Sequence, residues 1–172
     1  IYNYKELRKK LLLDNCIFNT ESDTEVILNG YIKYGYLCAT TLAYFFLDLL
    51  SHKIKCKLKL SNFLIYVLLA TVCDVMPLRK LNRLIAIVAL KDFDISKNFA
   101  FKEIFNLLNK KNKLSINDLG FLIGPILNAG GRLGKSKFAS ALLSTDNIKS
   151  INIKSNELIK LNNKRKEIEE LT

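Results

Sequence analysis

Residues that build metal and redox sites are scarce in this sequence. Its one histidine is His52, and its four cysteines, Cys16, Cys38, Cys56 and Cys73, form no CxxC pair. Neither a zinc knuckle nor a redox dithiol is therefore expected, and reduced thiols are the default. Long apolar runs are also missing. The longest, residues 63–73, falls well short of the roughly 20 residues that a bilayer-crossing helix needs, and Asp48 interrupts the apolar stretch before it. No membrane partner is expected on that ground. No basic-then-apolar leader opens the chain, which starts at Ile1 rather than at methionine and inside an amphipathic pattern, so a fragment is expected. Acidic charge is in short supply, with 16 Asp+Glu against 27 Lys+Arg and a net charge of +11. That imbalance favours a polyanionic partner such as nucleic acid, although a lysine-rich compositional bias would produce the same number.

What is present is a globular mixture, 49% hydrophobic and 25% charged, which excludes disorder and is enough for a core. Leu7, Leu11 and Leu12 among basic residues predict a helix over residues 4–13, and residues 22–28 read as a turn leading into a short apolar segment. A second amphipathic helix is expected over residues 37–52, with Tyr44, Phe45 and Phe46 in its core face rather than stacking on bases. Residues 63–73 fit a buried helix better than a buried strand. Pro77 then forces the backbone to turn around residues 74–78. Buried helices are expected over residues 82–90 and 101–109, a short one over 138–143, and a long one over 148–171 whose Lys164, Arg165 and Lys166 form a solvated face. Five of the seven glycines lie between Gly120 and Gly134, which predicts a loop with several positive-φ turns or a close backbone approach.

Two segments carry a resemblance. ATVCDVMPLRKLNR, residues 70–83, and DLGFLIGPILNAGGRLG, residues 118–134, resemble motifs of the RecJ family of single-strand-specific 5′→3′ exonucleases in the DHH phosphoesterase superfamily. The upstream GYLCATTLAYFFLDLL and the downstream STDN and LNNKRKEIE fall in that family's order. The resemblance implies a mainly α-helical fragment of the α/β DHH phosphoesterase domain over residues 36–147, and a long connecting helix over 148–172 leading to a second domain. It implies single-stranded DNA as partner and Mn²⁺ or Mg²⁺ as cofactors of a two-metal site. The alternatives are a small-nucleotide phosphodiesterase or pyrophosphatase of the same superfamily, or a basic nucleic-acid-binding fragment with no chemistry left. Asp74 matches the family's metal-ligand aspartate, and Asn128, Gly131 and Arg132 match its glycine-flanked arginine motif. One departure is that Ile126, not arginine, follows Pro125, which leaves Arg132 as the better phosphate contact. The family's other metal-binding motifs precede the matched region and do not occur in residues 1–35. Those residues resemble instead the glutamine amidotransferase domain of asparagine synthase-type enzymes, a short foreign α+β segment in which Asp23 would contact glutamine. The nucleophilic cysteine of that family is not present.

Plainer roles stand beside each of these. By spacing alone Asp74 reads as a turn or cap aspartate before Pro77, a preference that the motif match reverses, while the glycines read also as a tight connector and Arg132 as a solvated charge. Arg83 is either a DNA-phosphate contact or, the preferred reading, half of a buried ion pair, and Asn82 reads as a cap for the helix that follows. His52 reads as a helix-end surface residue.

Overall fold

The computed structural model describes residues 4–22, 25–26, 29–30, 33, 37–56 and 59–171, and contains no strand among them. The mainly helical character expected of the chain is therefore what the structure shows. The strand implied for the amino-terminal stretch is not among its described residues. The chain divides into two compact units, Ile1–Ile87 and Val88–Thr172.

The first unit holds α1 (Tyr4–Leu13), α2 (Ala39–Lys53), and a 3₁₀ turn, Leu60–Phe63, that runs into α3 (Leu64–Cys73). Helix α4 (Lys80–Asp92) contains the division. The apolar run of residues 63–73 is open to helix or strand by composition, and the structure makes it a helix buried on most of its circumference, at Ile65, Val67, Leu68, Leu69 and Thr71. Helix α2 packs on α3 through small polar groups: Cys38 Sγ lies 3.2 Å from Thr41 Oγ1 and 3.5 Å from Thr71 Oγ1, and Thr71 Oγ1 donates to the Val67 carbonyl at 2.8 Å. The inward side of α2 is thus Thr41 and Ser51, while Leu42, Phe46 and Leu49 point outward. This overturns the expectation that Tyr44, Phe45 and Phe46 form core. Tyr44 is half-buried, Phe45 is exposed and packs edge-on against it at 5.8 Å, and Phe46 is 63% exposed. The side of α2 that meets α3 is the small, polar one, and three adjacent residues cannot all share it. Helix α4 is likewise amphipathic rather than fully buried, with Ile85, Ala86 and Ala89 inside and Leu84 and Ile87 outside.

The second unit runs through α5 (Phe99–Leu107), a single α-turn Ile116–Asp118, a wide π-helical turn Leu119–Ile123, α6 (Gly124–Arg132), α7 (Lys137–Leu143) and α8 (Ile148–Glu170). Helix α8 packs against α5, α6 and α7. The shared core comprises Phe101, Ile104 and Phe105 of α5, Ile126, Leu127 and Ala129 of α6, Leu142 of α7, and Ile151 and Leu158 of α8. Helix starts are set by side chains that satisfy otherwise orphaned amides: Asn98 accepts from Phe101 N and Asn147 from Ser150 N, each at 3.0 Å.

The glycine-rich stretch is not the loop that its composition suggested. Pro125 follows directly on the wide π-helical turn Leu119–Ile123, so a residue without an N–H is tolerated where the regular i→i−4 ladder is already interrupted, and the helix continues through Gly130 and Gly131. Only Gly134, at φ 77°, has positive φ among the described glycines. It closes a Schellman turn in which Lys135 N donates back to the Gly130 carbonyl at 2.6 Å. That turn folds the Lys135 carbonyl over Gly130, where an added β-carbon would stand 2.7 Å from Lys135 O and 3.1 Å from Leu158 Cδ2. Gly130 therefore serves close packing, the alternative the sequence had left open.

Gly130→Ala is expected to destabilise the second unit by about 1–3 kcal/mol. Gly131→Ala, where a β-carbon meets nothing within 4 Å, should stabilise it by roughly 0.5–1 kcal/mol through helix propensity. Urea unfolding of the two variants measures this, and equal effects would contradict the packing assignment.

Candidate phosphate-binding face and acidic turn

Asp74 ends α3. Its amide donates to the Ala70 carbonyl at 2.9 Å, and Met76 N returns to the Thr71 carbonyl at 3.0 Å across Val75, which is held at φ 53°. This is another Schellman turn, with a β-branched residue where glycine is the usual choice. Strain of that kind persists only where the surroundings impose it. Two constraints do so here: Pro77 cannot extend the helix, and buried Asn82 donates from Nδ2 to the Pro77 carbonyl at 3.0 Å. Asn82 thus lies inside α4 and braces the preceding turn, rather than capping α4 as expected. The Asp74 carboxylate is exposed and, among the described residues, accepts no hydrogen bond, so it performs neither the capping nor the turn role open to it. Next to it, burial first and the Asp74 charge second push the Cys73 thiol above its ordinary pKa.

Asn128, Gly131 and Arg132 are all exposed on α6 at i, i+3 and i+4, which puts them on one face. Ile126, where the resemblance leads one to expect arginine, is buried in the core. Arg132 stands at the carbonyl end of α6, so any anion it held would be held by its side chain and not by helix N–H groups. Its Nη1 is 3.5 Å from Glu169 Oε1. Arg165 Nη1 in turn donates to both oxygens of Glu169, at 2.7 and 2.8 Å, and Arg165 reaches the buried Asn162 Oδ1 from Nε at 3.4 Å and Nη2 at 3.3 Å. Arg165 is thus half-buried and engaged, a correction to the fully solvated face expected for Lys164, Arg165 and Lys166; Lys164 and Lys166 are exposed.

Arg83 is exposed and has no ion-pair partner among the described residues, so the buried pair preferred for it does not form. His52 is a helix-end surface residue, 3.7 Å from Asp48. Asp23 lies outside the described residues. Asp74 belongs to the first unit and Arg132 to the second, and the structure brings Asn128, Gly131 and Arg132 together on α6. Among the described residues no group of three or more His, Cys, Asp or Glu could hold a metal ion. A lone exposed carboxylate does not fit a two-ion cage, because Mg²⁺-like ions give up their waters reluctantly.

Sequence reasoning missed one buried charge. Asp118 accepts from Ser115 Oγ at 2.7 Å and from Ser115 N at 3.0 Å, completing a capping box, and pairs with Lys110. The signal was there, since Ser115 precedes Asp118 by three residues ahead of an apolar run. Burial alone would raise this carboxyl's pKa, but the Lys110 ammonium and the Ser115 hydroxyl and amide together hold it below the ordinary value. A carboxyl depressed on folding contributes stability that is complete above its unfolded pKa, about 4, and lost as pH falls through the lower folded value. Asp118→Asn should therefore lower stability by about 1–3 kcal/mol at neutral pH, with the gap to the parent chain closing below about pH 4. A gap that stays constant on acidification would show that charge is not what Asp118 contributes.

Comparisons with known proteins divide the chain. Residues 1–60 match the model of the glutamine amidotransferase domain, further along the chain than the 35 residues that suggested it. The single-stranded-DNA-specific exonuclease RecJ of Escherichia coli (strain K12) is 40% identical over 113 residues, 64% of this chain and 20% of that protein. Its counterpart from Salmonella typhimurium is 38% identical over the same shares. The crystal structure of RecJ in complex with Mg²⁺ from Thermus thermophilus superposes with a TM-score of 0.62 at 24% identity, over 71% of this chain and 19% of that one. A structure of exonuclease RecJ bound to manganese gives the same TM-score at 25% identity, over 70% of this chain and 31% of that one. The chain spans about a fifth of the length of the curated relatives it matches. Most of this chain is thus similar to RecJ in both sequence and fold, while residues 1–60 match a glutamine amidotransferase domain.

Proposed function

We propose that the RecJ-like part of this chain comes from the catalytic domain of a parent enzyme that removes nucleotides from the 5′ end of single-stranded DNA during repair and recombination in the cytoplasm. On this reading residues 36–147 belong to the α/β DHH phosphoesterase domain, residues 148–172 lead to a second domain, and the amino-terminal 35 residues are an amidotransferase-like piece joined to it. Residues 36–60 lie in the overlap, because the amidotransferase match runs to residue 60. The observation that carries the proposal is Asp74: an exposed carboxylate with no hydrogen-bond donor among the described residues, on a turn held in a conformation unfavourable for Val75. A capping or turn aspartate would use its oxygens, as Asp94 and Asp118 do. A ligand aspartate keeps them available.

Phosphodiester hydrolysis at neutral pH needs an activated hydroxide and neutralisation of charge on the phosphoryl oxygens, and Mg²⁺ or Mn²⁺ supplies both in such enzymes. The described residues contribute one ligand, so the chain by itself is proposed to be inactive. Arg132 has a separate role that needs no metal. Its planar guanidinium can hold a strand phosphate through two parallel N–H donors, with Asn128 and the bare Gly131 backbone beside it on the same exposed face.

In an intact RecJ-like parent carrying this sequence, Asp74→Ala should lower release of 5′-labelled nucleotide by about 100-fold or more and leave strand binding nearly unchanged. Unaltered turnover would remove Asp74 from the site. In the chain itself, Arg132→Ala should weaken binding of a short oligothymidylate and make its salt dependence shallower by about 0.7 in log–log slope, the loss of one phosphate contact.

A further inference from the structure

Arg132 does not stand alone on its face. Its Nη1 points to Glu169, a residue 37 positions away in sequence on the last turns of α8. Glu169 is itself positioned: Arg165, one helical turn earlier, meets both of its oxygens, and Arg165 is steadied by Asn162, which is 6% exposed and so fixed in the core side of α8. The order Asn162, Arg165, Glu169, Arg132 therefore runs from a buried amide outward to a guanidinium that is 64% exposed. Contact at the two ends is unequal. Glu169 is held tightly by Arg165 at 2.7 Å and loosely by Arg132 at 3.5 Å. A loose, solvent-screened contact is worth about 0–1 kcal/mol and is readily exchanged for a better anion.

We infer that Glu169 is a resident counter-ion of Arg132, engaged with the guanidinium at the end of α8 and displaced from it when a strand phosphate arrives. This deepens the phosphate-binding role of Arg132 proposed above and rests on it. Arg165 keeps Glu169 from following the departing guanidinium, so the exchange is local and needs no movement of α8. The carboxylate lowers affinity slightly, because each phosphate must outcompete it.

The test is a double-mutant cycle in the full chain, with a short oligothymidylate as probe across a salt series. Glu169→Gln keeps an oxygen acceptor for Arg165 while removing the competing charge. It should tighten binding about two- to fourfold at low salt, the range of a surface ion pair, and steepen the salt dependence. In an Arg132→Ala background the same substitution should give no more than the small gain that any lost negative charge gives. An equal gain in both backgrounds would overturn the inference, because the effect would then be general electrostatics. No gain from Glu169→Gln where Arg132→Ala does weaken binding would overturn it as well, leaving the phosphate-contact role intact. If Arg132→Ala leaves binding unchanged, the phosphate-contact role fails and this inference fails with it. Far-ultraviolet circular dichroism on each variant confirms that α8 is retained in the comparison.

Discussion

The second unit depends on a missing atom. With no β-carbon at residue 130, the Lys135 carbonyl and the Leu158 side chain both close onto the backbone of α6. That contact fixes the approach of α6 to α8, and the carboxy-terminal turns of α8 then lie beside the exposed face of α6. Arg132 and Glu169 meet across the same pair of helices. A β-carbon at 130 would meet the Lys135 carbonyl first, at 2.7 Å, and the end of the Leu158 side chain second, at 3.1 Å, so the turn that follows α6 is what would have to shift.

How much of this was legible in the sequence varies by element. Most of the helices follow apolar spacing closely, since burial of one stripe against a neighbour is a local, periodic demand; Phe101, Ile104 and Phe105 lie in the core as their spacing indicated. The glycine-rich stretch misled because composition reports backbone freedom and not its use: Gly130 spends that freedom on proximity, and only Gly134 on a left-handed turn. Helix α2 misled for a different reason. Its Thr41 and Ser51 face inward and its leucines outward, an inversion that no single-helix pattern can reveal, because the sequence does not say which face meets α3. Of the candidate site, Asn128, Gly131 and Arg132 are brought together by helical spacing alone, whereas Glu169 depends on tertiary contact and left no local trace.

Asp74 and Val75 depart from the rules of turn chemistry. Those rules favour glycine after the last helical residue and give the aspartate a backbone amide to accept. The structure honours neither: the position that ought to be glycine is valine, and the aspartate's oxygens are turned to solvent. The first departure is shared, since Asn15, Lys55, Lys80 and Asn109 also hold positive φ among the described residues, and the turn at Val75 differs in carrying a β-branched side chain.

The wide turn Leu119–Ile123 sets the angular register of everything after it. A π-helical turn holds about one residue more than an α-turn, and one residue corresponds to roughly 100° about the helix axis. Whether Ile126 and Ala129 look into the core, and Asn128 and Arg132 away from it, is therefore decided by how many residues lie between the Ser115–Asp118 cap and Pro125 as much as by which residues they are. Shortening that interval by one would rotate the whole wheel, submerging a guanidinium and surfacing an isoleucine without altering either, so segment length here is under as strict a constraint as any side chain.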